Sequence, residues 1–388
     1  MNLRKIGTLI SLLAISGANA QNGDNNKHHS MDDIVPKNLI PEAPVLTVDE
    51  ALKAFTIEKG FVIEPVAAEP LVEKPVALTF DPQGRMWVCE MRGYMPDIDG
   101  KGENIPSGRI AILEDTDHDG QVDKRTTFLD QILLPRTIAL VPGGVMYADQ
   151  STLYLVERDG DLPKGTPKVL DKNYASGGNV EHKPNGMMPG IDNWLYNSKS
   201  GTRYKYVDGK LINEPTSNRG QWGITRDNFG RIFHNSNSTL LIGDRLLPNL
   251  LFGNKSVKNK AKMDTRVGSN AVFPGRVTPG LNRAYISVHN GYNDNTIDPK
   301  TFKLTNATGA CGPVIYRGTN FPESYNGNAF VCESSAQLVK TIKIDAVDGN
   351  LKGSHPLDKH DFLTSTDERF RPVNIYNAPD ASLYLLDM

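Results

Sequence analysis

The sequence predicts an all-β protein, a six- or seven-bladed β-propeller preceded by a signal peptide and a short N-terminal helix. A polar turn followed by a short apolar and aromatic strand returns along the chain, beginning at Asp81, Val141, Gly190, Asp227, Tyr325 and Pro379. Helical periodicity is scarce, and the 35 glycines and 25 prolines suit many turns. A repeat of about 40–50 residues built of short strands is typical of a propeller, because each small sheet must bury both faces against neighbours. A β-sandwich with common turn chemistry is the alternative.

Residues 1–20 have the features of a secretory signal peptide. Arg4 and Lys5 precede an apolar run at 6–15, and Ala18-Asn19-Ala20 offers a cleavage site. This run is too short to span a bilayer and no later segment is apolar enough, so we expect no transmembrane span after cleavage. The expected location is periplasmic or secreted.

The remaining chain divides into a polar segment and one domain. Residues 21–46 are polar and predict a disordered tether, and 47–388 predict the propeller. Thr47 and Glu50 form a capping box that predicts a helix over 48–55. A strand is expected at 61–67, where it could pair into the last blade and close the ring. The chain stops inside an apparent strand, so we expect a C-terminally truncated reading frame.

Charge and cysteine content narrow the function classes. The formal net charge is −2 and the pI about 6.5, so no global field favours nucleic acid. Export would permit a disulfide among Cys89, Cys311 and Cys332. Pairing of Cys311 with Cys332 is favoured because the shorter loop closes at lower entropic cost, with Cys89–Cys332 as the alternative.

The most specific local motif lies at 115–123 and predicts a calcium site. Carboxylates alternate along the loop, and Gly120 allows a sharp turn, which together suit a hard cation. The expected ligands are Asp115, Asp117, Asp119, the carbonyl of Gln121, and Asp123. The twelfth residue of the loop, counted from Asp115, is Thr126, so the glutamate that an EF-hand has at this position is missing. The spacing instead suggests a structural Ca²⁺ loop between propeller strands, and a solvated acidic turn is the alternative.

The stretch 177–200 carries the candidate base. Its polar, glycine-rich first half holds Glu181 and His182, and its second half predicts a strand. A neutral imidazole can accept a proton from an alcohol, and a neighbouring carboxylate would orient it. A structural histidine is the alternative interpretation.

Three arginines lie in aromatic or glycine-containing settings and are candidates for an anionic or quinone ligand. They are Arg219, Arg369 and Arg371. Forked guanidinium groups bind carboxylates and quinone oxygens, although most arginines are surface residues. Arg92 and Arg136 are weaker candidates of the same kind.

Several long stretches together resemble the soluble quinoprotein glucose/sorbosone dehydrogenase superfamily, and more closely its bacterial branch known as membrane-bound dehydrogenases. They lie at 50–94, 114–128, 143–159, 310–334 and 366–388. The resemblance implies a propeller that binds pyrroloquinoline quinone and Ca²⁺ and oxidises a sugar or alcohol. It also implies that a cytochrome c could accept the electrons.

The resemblance implies specific roles for matching residues. His182 with Glu181 matches the general base that acts on the sugar hydroxyl, Arg219 matches a cofactor-side arginine, and Arg369 with Arg371 matches an arginine pair on the quinone. The chain departs from those relatives near 334–337, where it has no lysine, and at 234–241, where HNSNSTLL replaces a calcium-ligating stretch.

Two other functions remain open. The missing lysine near 334–337 and the replaced stretch at 234–241 favour a non-catalytic propeller that binds glycans or a protein partner. A metal-dependent, lactonase-like hydrolase is the third interpretation, with Asn179, Glu181 and Asn235 as ligands at the central opening.

Overall fold

The computed structural model describes residues 35–97, 99–256, 263–277 and 296–388. Within these ranges one α-helix, α1 (Val48–Lys53), and four 3₁₀ turns accompany the β-strands, so the predicted all-β class is confirmed. The predicted signal peptide lies outside the described residues, as does the tether up to residue 34. Of the tether, 35–46 is described and contains the 3₁₀ turn Lys37–Leu39.

The strands form successive antiparallel sheets in chain order. Sheet one contains β2 (Pro75–Phe80), β3 (Met86–Glu90), β4 (Gly108–Glu114) and β5 (Lys124–Ile132). Sheet two contains β6 (Thr137–Val141), β7 (Gly144–Ala148), β8 (Leu153–Asp159) and β9 (Leu162–Asp171). Sheet three contains β10 (Asn185–Pro189), β11 (Leu195–Ser198), β12 (Ser200–Val207) and β13 (Lys210–Arg219). A parallel pairing of Gly186 with Thr137 joins β10 to β6, so sheets two and three are halves of one eight-stranded sheet.

Three further sheets follow. Sheet four contains β14 (Thr225–Arg226), β15 (Ile232–Ser236), β16 (Thr239–Asp244) and β17 (Asp264–Arg266). Sheet five contains β18 (Ala310–Ile315), β19 (Ala329–Glu333), β20 (Leu338–Val347), β21 (Asn350–Ser354) and β22 (Leu363–Ser365), with β1 (Phe55–Ile57) added beside β22. Sheet six contains β23 (Pro372–Asn377) and β24 (Leu383–Asp387).

The first strands of successive sheets contact one another and return to the start. β6 contacts β2 and bonds in parallel to β10, β14 contacts β18, and β23 contacts both β18 and β2. β10 meets the segment before β14, because the Asn185 side chain donates to the Gln221 carbonyl and accepts from the Gly223 N–H. The sheets therefore stack around an axis as a β-propeller. The number of blades in the whole chain stays a prediction.

Close approach near the axis requires glycine between sheets five and six. Gly312 has φ +51°, and a Cβ added there would lie 2.4 Å from the backbone Cα of Asn374. Side chains larger than hydrogen would both strain this conformation and push β18 away from β23.

The N-terminal segment differs from the prediction. The helix begins at the predicted capping box, in which Thr47 and Glu50 bond reciprocally. The strand expected at 61–67 is wrong: the strand that forms is β1, and it joins sheet five rather than the last sheet. Phe61 instead packs its ring 4.8 Å from those of Phe321 and Phe362.

All three cysteines are buried free thiols. Cys311 and Cys332 lie directly opposite each other on β18 and β19, while the Cys89 thiol faces the Thr137 carbonyl. The favoured pair is therefore adjacent, although the structure holds it reduced.

No helix in the described ranges combines the length and apolarity needed to cross a membrane.

Candidate functional site

The connections that lead into the first strands meet at one end of the ring, which we call the mouth. Neighbouring first strands touch at their starting ends: the Cys311 thiol donates to the Pro372 carbonyl, and the Asn374 amide donates to the Val76 carbonyl. His182, Arg219, Arg369 and Arg371 all lie in or at the start of these connections. The structure therefore brings His182 and these three arginines to the same end of the propeller.

The second strand of each sheet carries an acidic or amide residue within one position of its end at the mouth. We call these six residues the strand-end set: Glu90, Asp149, Asn197, Asn235, Glu333 and Asp387. They reach the mouth because each antiparallel second strand ends beside the start of the first strand, as Glu333 does opposite Ala310. Glu90, Asn235 and Glu333 are fully buried.

Two buried carboxylates of the strand-end set are bonded within the protein. Glu90 pairs with the buried Arg109 guanidinium and accepts the Glu73 N–H. Glu333 accepts the backbone N–H groups of Thr308 and Gly309, each at 3.0 Å. These bonds satisfy both carboxylates, so we interpret Glu90 and Glu333 as structural members of the mouth.

Glu333 should make stability depend on pH. Burial raises its pKa from 4.5 to about 7. Between these values the folded state keeps a proton that the unfolded chain has released, so this carboxyl makes folding less favourable as the pH rises through the window. We expect wild type to lose stability between pH 4.5 and 7 relative to Glu333→Gln, measured by urea unfolding. Identical pH profiles of the two proteins would contradict this assignment.

His182 and Glu181 lie in the 3₁₀ turn Val180–His182, three residues before β10. Both side chains are half-buried. The Tyr94 hydroxyl, from the connection between β3 and β4, donates to the Glu181 carboxylate at 3.4 Å. The His182 ring has no side-chain hydrogen bond to any described residue, so its nitrogens are available to a ligand.

Arg219 lies at the end of β13 with an exposed fraction of 4%. Its guanidinium donates to the Asp244 carboxylate at 2.7 and 3.0 Å and to the Thr216 hydroxyl at 3.0 Å. Both Arg219 and Asp244 line a cavity of about 260 Å³ between sheets three and four, which includes Phe252 and Asp264. No contact in the described ranges joins Arg219 to His182 or Arg371, and its predicted cofactor role stays a prediction.

Arg369 and Arg371 have different environments. Arg369 is exposed, and only its backbone N–H is bonded, to Asp367. The Arg371 guanidinium donates to the carbonyls of Glu368 and Phe370 and has no carboxylate bonded to it within the described chain. Burial lowers the pKa of Arg371. Of this pair, Arg371 is the better candidate for an anionic ligand, because its charge lacks a bonded counterion.

Several buried polar atoms in sheets three and four and in the connection between them lack hydrogen-bond partners among the described residues. They are Asn197 Nδ2, Trp222 Nε1, both side-chain polar atoms of Asn235, and both ring nitrogens of His234. Gly220 lies against His234, since a Cβ added there would meet the Ser198 hydroxyl at 2.4 Å and His234 Cβ at 3.1 Å. An unsatisfied buried polar group costs about 1–3 kcal/mol, so a polar ligand that bonds to them would be stabilised.

His234 is a poor candidate for the base. Burial and the charge of Arg219 lower its pKa to about 3. A group with so low a pKa is a weak proton acceptor near neutral pH. The half-buried His182 therefore remains the candidate general base.

The sequence analysis did not identify Asn197 as a candidate site residue. A signal was present, because every turn–strand repeat ends on Asp, Glu or Asn. Aligning the repeats on that position identifies the strand-end set. Which members lack partners depends on long-range contacts that the repeat does not encode.

The predicted calcium loop connects β4 to β5. Asp115, Asp117 and Asp119 offer oxygen atoms that all lie within 4.8 Å of one another. The Asp123 carboxylate instead accepts the Thr116 hydroxyl at 2.5 Å. The structure thus brings together three of the predicted carboxylates and holds the fourth by Thr116.

Calcium should stabilise the protein through this loop. Oxygen-rich loops bind Ca²⁺, and a ligand at 100 times its Kd adds about 2.7 kcal/mol to the stability of the folded state. We expect millimolar Ca²⁺ to raise the Tm of wild type and of the control Asp99→Asn but not of Asp117→Asn, measured by differential scanning calorimetry. Equal shifts in all three proteins would place the ion elsewhere.

Several solved structures are similar to this chain at low sequence identity. An oxidoreductase described as a glucose dehydrogenase, from Thermus thermophilus, is 13% identical; 83% of this chain and 92% of that chain are covered, with a TM-score of 0.48. The holo form of the pyranose dehydrogenase PQQ domain from Coprinopsis cinerea is 14% identical, with 86% and 94% covered and a TM-score of 0.46. The calcium structure of a family AA12 carbohydrate-active enzyme from Trichoderma reesei gives the same values.

No curated protein matches the chain. A family model described as "Domain of unknown function (DUF7133)" matches residues 47–388, and the chain therefore belongs to this family.

Proposed function

We propose that this chain is an exported quinoprotein-type dehydrogenase that oxidises a sugar or alcohol hydroxyl at the mouth of the propeller. The observation that carries the proposal is that buried polar atoms of Asn197, Trp222 and Asn235 lack hydrogen-bond partners among the described residues, at the same end of the propeller as His182. A polar ligand at the mouth would supply the missing partners.

The N–H donors among these buried polar atoms fit pyrroloquinoline quinone, which carries carboxylates and carbonyl oxygens. Asn197, Asn235 and Trp222 offer N–H donors, and Arg371 offers a positive charge without a bonded carboxylate. Bound there, the quinone would accept the hydride removed from the substrate carbon. Arg219 would act from farther away, since Asp244 holds its guanidinium.

His182 would accept the proton of the substrate hydroxyl as the hydride leaves the carbon. The imidazole is free of side-chain hydrogen bonds among the described residues, so one nitrogen can face the substrate. Glu181, whose carboxylate accepts the Tyr94 hydroxyl, lies directly before His182 in the same turn. The reduced quinone would then pass its electrons to an acceptor such as a cytochrome c.

A non-catalytic glycan-binding propeller is the second candidate. It is favoured by the environments of Arg219 and Arg369: the first is bound by Asp244, and the second is exposed. In that case the same unpartnered amides would bond to sugar hydroxyls, and no quinone would be required.

Dye reduction by the full-length exported chain tests the proposal. With the quinone and Ca²⁺ added, aldoses or alcohols should reduce the dye, and omission of the quinone should abolish the reaction. Sugar-induced thermal stabilisation without quinone-dependent turnover would select the glycan-binding function. Metal-dependent hydrolysis of a sugar lactone would select the hydrolase instead.

A further inference from the structure

Two buried cations at the mouth lack a bonded carboxylate within the described chain. Arg136 is fully buried, and Lys183 has an exposed fraction of 7%. Lys183 directly follows His182, and Arg136 immediately precedes β6. Buried charges are normally paired, because removing an ion from water costs several kcal/mol. Arg136 and Lys183 therefore lack the bonded counterion that usually offsets this cost.

Carbonyl oxygens are the bonded partners of both groups. The Arg136 guanidinium donates to the carbonyls of Pro184 at 3.0 Å, Asp149 at 2.7 Å and Gln150 at 3.2 Å. The Lys183 ammonium donates to the Gln150 carbonyl at 2.9 Å and has no other hydrogen bond to a described residue. An ammonium has three donors, so Lys183 keeps two for a ligand.

One carboxylate acts on both cations without bonding to either. The charge of Asp149 favours the ionised forms of Arg136 and Lys183. Its oxygens, however, accept the N–H groups of Ser151 and Thr152 and the Tyr154 hydroxyl. Within this cluster one negative charge faces two positive charges, so Asp149 alone does not balance Arg136 and Lys183.

Burial also disfavours the charged forms of Arg136 and Lys183. Burial lowers the pKa of Arg136 to about 10, and burial together with the charge of Arg136 lowers the pKa of Lys183. An anion placed beside the Lys183 ammonium would offset both effects. Arg136 also donates to the Leu134 carbonyl, so four carbonyls hold it and it acts mainly through its charge. Lys183, by contrast, has donors without a bonded partner among the described residues.

We propose that Lys183, backed by Arg136, is a carboxylate-binding site beside His182. This inference rests on the proposed function for the position of the ligand at the mouth. The carboxylate belongs either to the quinone cofactor or to an acidic sugar such as a uronate, and both present the same group to the ammonium.

Binding to the full chain tests the site without requiring turnover. The probes are pyrroloquinoline quinone, D-glucuronate and the uncharged D-glucose, measured by isothermal titration calorimetry. The variants are Lys183→Gln, Lys183→Arg, and the control Lys172→Gln, which removes an exposed lysine from the same connection. Charge-assisted bonds to a ligand carboxylate predict about a tenfold or larger loss of affinity in Lys183→Gln, with Lys183→Arg and Lys172→Gln close to wild type.

The probes separate the two sources. Weaker quinone binding by Lys183→Gln assigns the carboxylate to the cofactor, and loss of a preference for glucuronate over glucose assigns it to the substrate. Unchanged affinities in Lys183→Gln, or a wild type that binds neither carboxylate probe, would overturn the site. Turnover that does not depend on Lys183 would overturn the carboxylate site and leave the dehydrogenase proposal intact. Binding that depends on Lys183 but is not followed by turnover would support the site and contradict the dehydrogenase proposal.

A measurement on wild type covers the case in which Lys183→Gln does not fold. The side-chain nitrogen resonance of Lys183, but not that of Lys172, should shift in NMR spectra when a carboxylate probe is added. Unchanged Lys183 resonances with both carboxylate probes would contradict the site.

Discussion

Replacing His182 with alanine should lower quinone-dependent kcat by about 10²–10⁴-fold, the range typical of a lost general base. The physical reason is that the hydroxyl proton must leave as the hydride does, and the His182 imidazole is a mouth group with no side-chain bond among the described residues. Dye reduction at saturating sugar measures the effect. Quinone affinity should change little, because the imidazole is assigned to the substrate side.

His118→Asn is the control for this prediction. His118 is exposed in the 115–123 loop and has φ +62°, a conformation that asparagine tolerates. The control should keep wild-type activity. An His182→Ala variant as active as the control would remove His182 from the mechanism.

Replacing Arg219 with methionine should destabilise the protein by about 3–5 kcal/mol, because it leaves a buried carboxylate without its partner. Asp244 has an exposed fraction of 5% and receives two of the guanidinium nitrogens. Burial already raises the pKa of Asp244, and loss of Arg219 would remove the group that opposes this rise. Urea unfolding measures the change.

The double variant Arg219→Met, Asp244→Leu separates structure from cofactor binding. It removes both charges, so we expect it to recover most of the stability lost by the single variant. If Arg219 also serves the quinone, the stable double variant should bind the quinone more weakly than wild type. A single variant as stable as wild type would show that the Arg219–Asp244 pair does not hold sheets three and four together.

The sheets could be predicted from sequence because their signals are local. Each repeat carries its own turn and apolar strand, and the capping box of Thr47 with Glu50 is contained within four residues. The strand predicted at 61–67 was wrong because a local apolar pattern does not show which segment pairs with a sheet. β1 forms instead through its pairing with β22, about 300 residues away in the chain, and no local pattern encodes that pairing.

The site was only partly predictable for the same reason. The acid–histidine pair and the arginines were proposed from residue type, and their roles stay predictions; the order of the sheets places them at one end of the propeller. The partners of those residues could not be recognised, since Asp244 reaches Arg219 across two sheets and Tyr94 reaches Glu181 from sheet one. The unpartnered state of Asn235 likewise emerges only when the sheets are packed.

A single-turnover absorbance measurement tests the central claim most directly. The full chain is loaded with one equivalent of pyrroloquinoline quinone and Ca²⁺, mixed with an aldose or alcohol, and followed at the absorbance of the bound quinone. The account predicts that the bound quinone is reduced by wild type and far more slowly by His182→Ala. Quinone that fails to bind, or that stays oxidised in wild type with every sugar and alcohol offered, would contradict it.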